Sequence, residues 1–137
     1  MIAPDTSIVV AAATTWHSAH RAAVEALSED TAVLLVHVAY EATAAMSRMP
    51  SGQRVAPQVV VEWLEQRFPH EWLALEAARS RAALLAAVAS GIRGGALYDA
   101  LIGATATRHG HRLVTADRRA ASAYDAVGAD VVFVDAG

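Results

Sequence analysis

Apolar residues recur along the chain in two patterns. Ala32-Val33-Leu34-Leu35-Val36 is a short run without alternation, which predicts a strand buried on both faces, the mark of a parallel sheet. Ile2–Pro4, Arg112–Thr115 and Val131–Val134 are the other strand candidates. Pro4 suits an element end, where a missing N–H costs no ladder bond. Elsewhere a spacing near 3.6 predicts helices over Trp16–Leu27, Val38–Arg48, Pro57–Phe68, Glu71–Ser90, Tyr98–Arg108 and Arg118–Val127. Ser7 is placed to cap a first helical stretch through Ala13. Met49-Pro50-Ser51-Gly52 is the sharpest punctuation, and Gly91, Gly94, Gly95, Gly110 and Gly128 break helices. Strands alternate with helices, and two long helices are inserted before Gly91. The pattern predicts an α/β fold of three layers around a central, mostly parallel sheet, as one domain over residues 1–137.

Composition narrows the function classes. Hydrophobic residues make up 55% of the chain and charged residues 18%, which supplies a core and excludes disorder. Cys is absent, so thiol nucleophiles, disulfides and Cys-ligated zinc are excluded. The formal net charge of −3 does not suit a protein that coats nucleic acid nonspecifically. Charge is uneven, however: Arg93, Arg108, Arg112, Arg118 and Arg119 outnumber Asp99 and Asp117 in that stretch. No basic region precedes the first apolar stretch, and no apolar run reaches the ~20 residues of a membrane span, so a cytoplasmic protein is expected.

Candidate chemistry comes from acidic residues at element junctions. In parallel α/β sheets the working groups sit where strands end and helices begin. Asp5 follows the first predicted strand, and Asp117 follows Leu113–Thr115. Asp99 opens the Tyr98–Arg108 helix, and Glu41 lies near the start of the helix after Val33–Val36. Helix dipoles alone explain Asp99 and Asp117 taken singly, but not acids at four junctions. Four converging carboxylates repel one another, and burial adds to the cost. A hard divalent cation removes that conflict, accepts oxygen ligands and activates water, which points to phosphodiester chemistry. A phosphoryl-accepting receiver domain also clusters Asp residues, but its late-strand Lys has no candidate because all eleven basic residues are Arg.

The same residues carry a family resemblance. Asp5-Thr6-Ser7 behind a short strand, Glu41, the segment Tyr98-Asp99-Ala100-Leu101-Ile102-Gly103-Ala104-Thr105-Ala106, and Leu113-Val114-Thr115-Ala116-Asp117 follow one another as in PIN domains. Length and order resemble the VapC-type ribonuclease toxins of toxin–antitoxin systems. The resemblance implies a PIN fold and a Mg²⁺-dependent endoribonuclease, with Mn²⁺ as substitute. It further implies an RNA substrate, a cognate antitoxin and a homodimer. It assigns Asp5, Glu41, Asp99 and Asp117 to the metal site, with Thr6, Ser7 and Thr115 supporting it. Many members carry a further Asp just after the Asp117 position. Arg118, Arg119 and Ala120 stand here instead, so the resemblance does not extend to a second tightly held metal.

Arg93, Arg118 and Arg119 are candidate contacts for RNA phosphate or an acidic antitoxin segment, against the plainer reading of a solvated surface. Trp63, Phe68 and Trp72 are expected in the core or an interface. The uncharged face of Val59, Val60, Trp63 and Leu64 is a candidate partner surface on the inserted helices.

Overall fold

The computed structural model describes residues 1–135; residues 136–137 of the expected domain span lie outside the described residues. Three strands form a fully parallel sheet in the order β1 (Ile2–Pro4), β2 (Arg112–Thr115), β3 (Val131–Phe133). Among the described residues, seven α-helices surround it: α1 (Thr6–Ala13), α2 (His20–Glu29), α3 (Val36–Ser47), α4 (Pro57–Arg67), α5 (Ala77–Ala89), α6 (Ala96–Arg108) and α7 (Ala121–Ala126). This is the expected α/β architecture. The central strand β2 aligns Leu113 with Ala3 on one side and Val131 on the other. Leu113, Val114 and Thr115 are buried, as a strand covered by helices requires. Both α1 and α6 rest on β2; α1 also packs on α2 and α3, and α6 on α5 and α7.

The run Ala32–Leu35 is buried as predicted but forms no ladder. It makes one parallel bridge to β1 at Ile2↔Ala32 and another at Leu35↔Leu73. Its neighbours offer one residue each and α3 starts at Val36, so pairing ends before a strand is established. The second bridge also corrects the helix expected over Glu71–Ser90. Leu73 N–H donates to the Leu34 carbonyl and Val36 N–H to the Leu73 carbonyl, each at 2.9 Å. These bonds hold residues 71–76 extended, and α5 begins only at Ala77.

Smaller differences follow from local bonding. Residues 14–19 turn instead of opening α2, with the His17 ring accepting from Ala19 N–H at 3.0 Å. The expected Arg118–Val127 helix opens as a 3-10 turn over Arg118–Ala120 before α7. The expected partner face on α4 is divided: Val60 and Leu64 are buried, Trp63 packs edge-on against Phe68, and Val59 stays exposed. On α5 the helical apolar positions point outward; Leu84, Leu85 and Val88 are exposed and Ala87 is buried.

Candidate active site

Parallel pairing sends the ends of β1 and β2 to one edge of the sheet, and the chain turns into a helix after each. Asp5 N–H donates to the Val114 carbonyl at 2.9 Å, so the residue is fixed by the β1–β2 ladder. Asp5, not Ser7, caps α1: its Oδ1 accepts from Ile8 N–H at 3.3 Å. Ser7 instead ties two elements together. Its hydroxyl donates to Asp5 Oδ1 at 2.5 Å and accepts from Ala116 N–H, beyond β2, at 2.9 Å. Thr115 at the end of β2 accepts from Asp117 N–H at 3.0 Å and lies 3.4 Å from the Ser7 hydroxyl. Tyr124 on α7 donates to Asp5 Oδ2 at 2.6 Å.

These groups form a buried floor, with Asp5 only 3% exposed. Burial pushes the Asp5 carboxyl above its usual range, against the opposing pull of bonds from Ser7, Thr115, Tyr124 and Ile8. The Tyr124 phenol is raised by burial and by the Asp5 charge, so it stays a proton donor.

Three more carboxylates enclose the space above. Glu41 sits in the second turn of α3, one turn later than expected, and its Oε1 accepts from the Thr6 hydroxyl at 2.6 Å. Asp117 caps the 3-10 turn through Arg119 N–H at 3.0 Å. Asp99 lies in the first turn of α6. Asp5, Thr6, Ser7, Glu41, Asp99 and Asp117 line one open hollow of about 400 Å³. Asp99 is pushed up to about 6, first by burial, then by the charges of Glu41, Asp5 and Asp117. No described side chain donates a hydrogen bond to it.

The donor set fits a hard divalent cation: all oxygens, mostly carboxylate, with no thiolate. The acids have not closed on a common point. Among the described residues no three His, Asp or Glu side chains already stand in ligating geometry. Thr6 holds Glu41, Arg119 holds Asp117 and the floor holds Asp5.

Of the candidate Arg residues, Arg119 borders the hollow through Asp117, while Arg93 and Arg118 do not line it. Arg118 pairs with Asp135 at 2.9 Å and covers the Phe133 ring at 4.8 Å. Arg119 is exposed beside Asp117, and Arg93 is exposed before α6. Three residues at the site had no role in the motif reading. Arg48 lines the hollow, seven positions after Glu41 and so on the same face of α3. His37, four positions before Glu41, brings Nε2 to 3.5 Å from Glu41 Oε2. Both spacings were readable along α3. Tyr124 carried no signal, because its reach to Asp5 across 119 positions exists only in the fold.

Comparison with known proteins places these observations in a family. A family model described as the PIN domain matches residues 2–126. Ribonuclease VapC40 of Mycobacterium tuberculosis is 40% identical over 134 residues, covering 98% of this chain and 99% of the relative. Ribonuclease VapC27 of the same organism is 33% identical over 132 residues, covering 96% and 95%. The crystal structure of FitAcB from Neisseria gonorrhoeae matches with a TM-score of 0.70 at 21% identity, covering 96% of each chain. The structure of FitAB bound to an IR36 DNA fragment matches with a TM-score of 0.69 at 19% identity, covering 97% and 94%. At those identities the two structures speak to the fold.

Proposed function

The chain belongs to the PIN domain family, and from that premise we propose that it is a metal-dependent endoribonuclease acting as the toxin of a toxin–antitoxin pair. One observation carries the reading. Acids from four separate elements line a single hollow at the C-terminal edge of a parallel sheet, where a cation would relieve their mutual repulsion at neutral pH. Mg²⁺, with Mn²⁺ as substitute, is the proposed metal, held by Asp5, Asp99 and Asp117 with Glu41. When bound, it would activate water and offset the charge that builds on the phosphodiester.

The chain's own residues have separable tasks in this scheme. Ser7, Thr115 and Tyr124 orient Asp5, while Thr6 orients Glu41. Asp99 is raised to about 6 by burial and by the charges of Glu41, Asp5 and Asp117, a repulsion that a bound cation would relieve. The names of the Mycobacterium relatives support RNA as the substrate. Residues 1–137 act as one unit, in the cytoplasm where cellular RNA is found; no described helix is long and apolar enough to cross a membrane. The exposed Leu84, Leu85 and Val88 on α5 and Val59 on α4 are the proposed surfaces for a second copy and the antitoxin.

The test is cleavage of single-stranded RNA with Mg²⁺, with Mn²⁺ and with chelator, using the wild type and Asp99→Asn. Cutting that needs metal and disappears in the folded variant supports the reading. Metal-independent cutting, or full activity in Asp99→Asn, overturns it.

A further inference from the structure

The charge of the hollow creates a problem that the motif residues do not solve. Four carboxylates attract a cation but repel a polyanionic strand, and RNA must still be held while its backbone is cut. Arg118 is engaged with Asp135 and Phe133, and the exposed Arg119 with Asp117 at the rim. The hollow has one cation in its lining, Arg48. It is exposed and makes no ion pair or side-chain hydrogen bond among the described residues.

Arg48 ends a stripe. Glu41, Ala44, Ala45 and Arg48 line the hollow at helical spacing from α3 into its C-cap, and His37 stands one turn before Glu41, next to that lining. Ala44 and Ala45 keep the middle of the stripe low. At its other end the His37 ring is stacked under Tyr98, with centroids 5.3 Å apart and planes at 9°. His37 is fixed between Tyr98 and Glu41, with its Nε2 buried. Tyr98, 55% exposed, is the more exposed ring of the pair and directly precedes Asp99 in α6. An exposed ring backed by a second ring is a stacking platform, and every unpaired base has a face that fits it.

Resting on the ribonuclease reading above, we propose that this face of α3 seats the RNA strand across the cut site. An unpaired base stacks on Tyr98 over His37, and a neighbouring phosphate is held by Arg48. Double-stranded RNA keeps its bases stacked inside the helix and cannot use the platform. The seat therefore selects single strands. Because the platform recognises a π-face, it binds all four bases alike, and sequence preference arises elsewhere on the protein.

The experiment measures cleavage of a short single-stranded RNA in Mg²⁺ at several salt concentrations. Tyr98→Ala should raise KM roughly five- to hundredfold with a smaller change in kcat, while Tyr98→Phe and Tyr98→Trp keep wild-type values. Arg48→Ala should raise KM and flatten the salt dependence by about 0.7 in log–log slope, the share of one phosphate on a single strand. Arg48→Lys should restore that slope. Arg48 variants, Tyr98→Phe and Tyr98→Trp should melt as the wild type does, and Tyr98→Ala should stay folded, losing only the ring stack on His37. Unaltered KM in Tyr98→Ala with active wild type overturns the seat and leaves the ribonuclease reading intact. So does a Tyr98→Phe defect equal to that of Tyr98→Ala. If the variants cut RNA normally but lose inhibition by the antitoxin, the face belongs to the antitoxin instead. A wild type that cuts no RNA with either metal sinks both proposals together.

Discussion

The floor and the mouth of the carboxylate hollow hold the same chemical group under opposite conditions. At the floor, Asp5 is buried but satisfied, with donors from Ser7, Tyr124 and the α1 backbone. At the mouth, Asp99 is half-buried, has no protein donor, and faces three other acids. Burial raises both carboxyls. Hydrogen bonds oppose the effect at the floor, whereas no described side chain donates to the carboxyl at the mouth. The floor is therefore built for rigidity, and the mouth is left for a ligand to complete. Functional sites commonly keep such an uncompensated group, and structural ones seldom do.

Substitutions at the two places should separate activity from stability. Asp99→Asn should lower RNA cleavage at least a hundredfold while its melting temperature stays equal to or above that of the metal-free wild type, since a repelled charge is removed. A loss of both activity and stability would erase the distinction. Tyr124→Phe should do the reverse. It strips a buried carboxylate of a 2.6 Å donor and should cost about 1–3 kcal/mol of stability by denaturant unfolding, with activity falling less than tenfold. An unaltered stability would show that the floor is not held by that bond.

Gly103 sharpens the same point from one layer further out. A Cβ there would meet Val127 Cγ2 at 3.0 Å and Tyr124 Cδ1 at 3.1 Å. Gly103→Ala should therefore push Tyr124 and cost about 1 kcal/mol, overpacking outweighing the gain in helix propensity. Calorimetry that finds the variant more stable would remove the glycine from this account.

The mouth should also be visible in the pH dependence of stability. Asp99 in the folded state lies near 6, above its ordinary 3.8, so the folded protein binds the extra proton between those values. Metal-free protein should lose stability as pH rises from about 4 to 6 and stay at the lower level above that. The amount should be on the order of 1 kcal/mol after solvent screening of a half-exposed group. The difference between wild-type and Asp99→Asn melts in chelator isolates this contribution. Millimolar Mg²⁺ at pH 7 should then raise the wild-type melting temperature by a few degrees and leave Asp99→Asn nearly unmoved. Equal shifts would place the metal elsewhere. The smallest effect belongs to the exposed Arg119–Asp117 pair: Arg119→Ala should change stability by less than about 0.5 kcal/mol in the same melts.

Much of this was written along the chain. The apolar run 32–36, the glycine breaks and the 3.6 spacing predicted a parallel α/β fold, because burial periodicity is local information. Asp5 and Asp117 stood out because they follow strands, and Asp99 because it opens a helix after a glycine-containing loop, and such positions are local as well. Errors came where distant backbone decided the outcome. Leu35 and Leu73 each needed the other to be extended, and neither stretch alone reveals it. Ser7 looked like a helix cap because capping is a matter of nearest neighbours. It serves β2 instead, across 109 positions, through Ala116 N–H.

By itself, then, the sequence determined most of the helices and the three paired strands, which junctions carry acids, and which acids are candidates for a shared task. Only the tertiary structure decided that Asp5 is locked while Asp99 is strained, that Tyr124 reaches the floor, and that Arg48 rather than Arg118 borders the hollow. The reason is physical. Propensity and periodicity depend on residues within a turn or two, whereas desolvation, repulsion and hydrogen bonding depend on whatever the fold brings within a few ångströms.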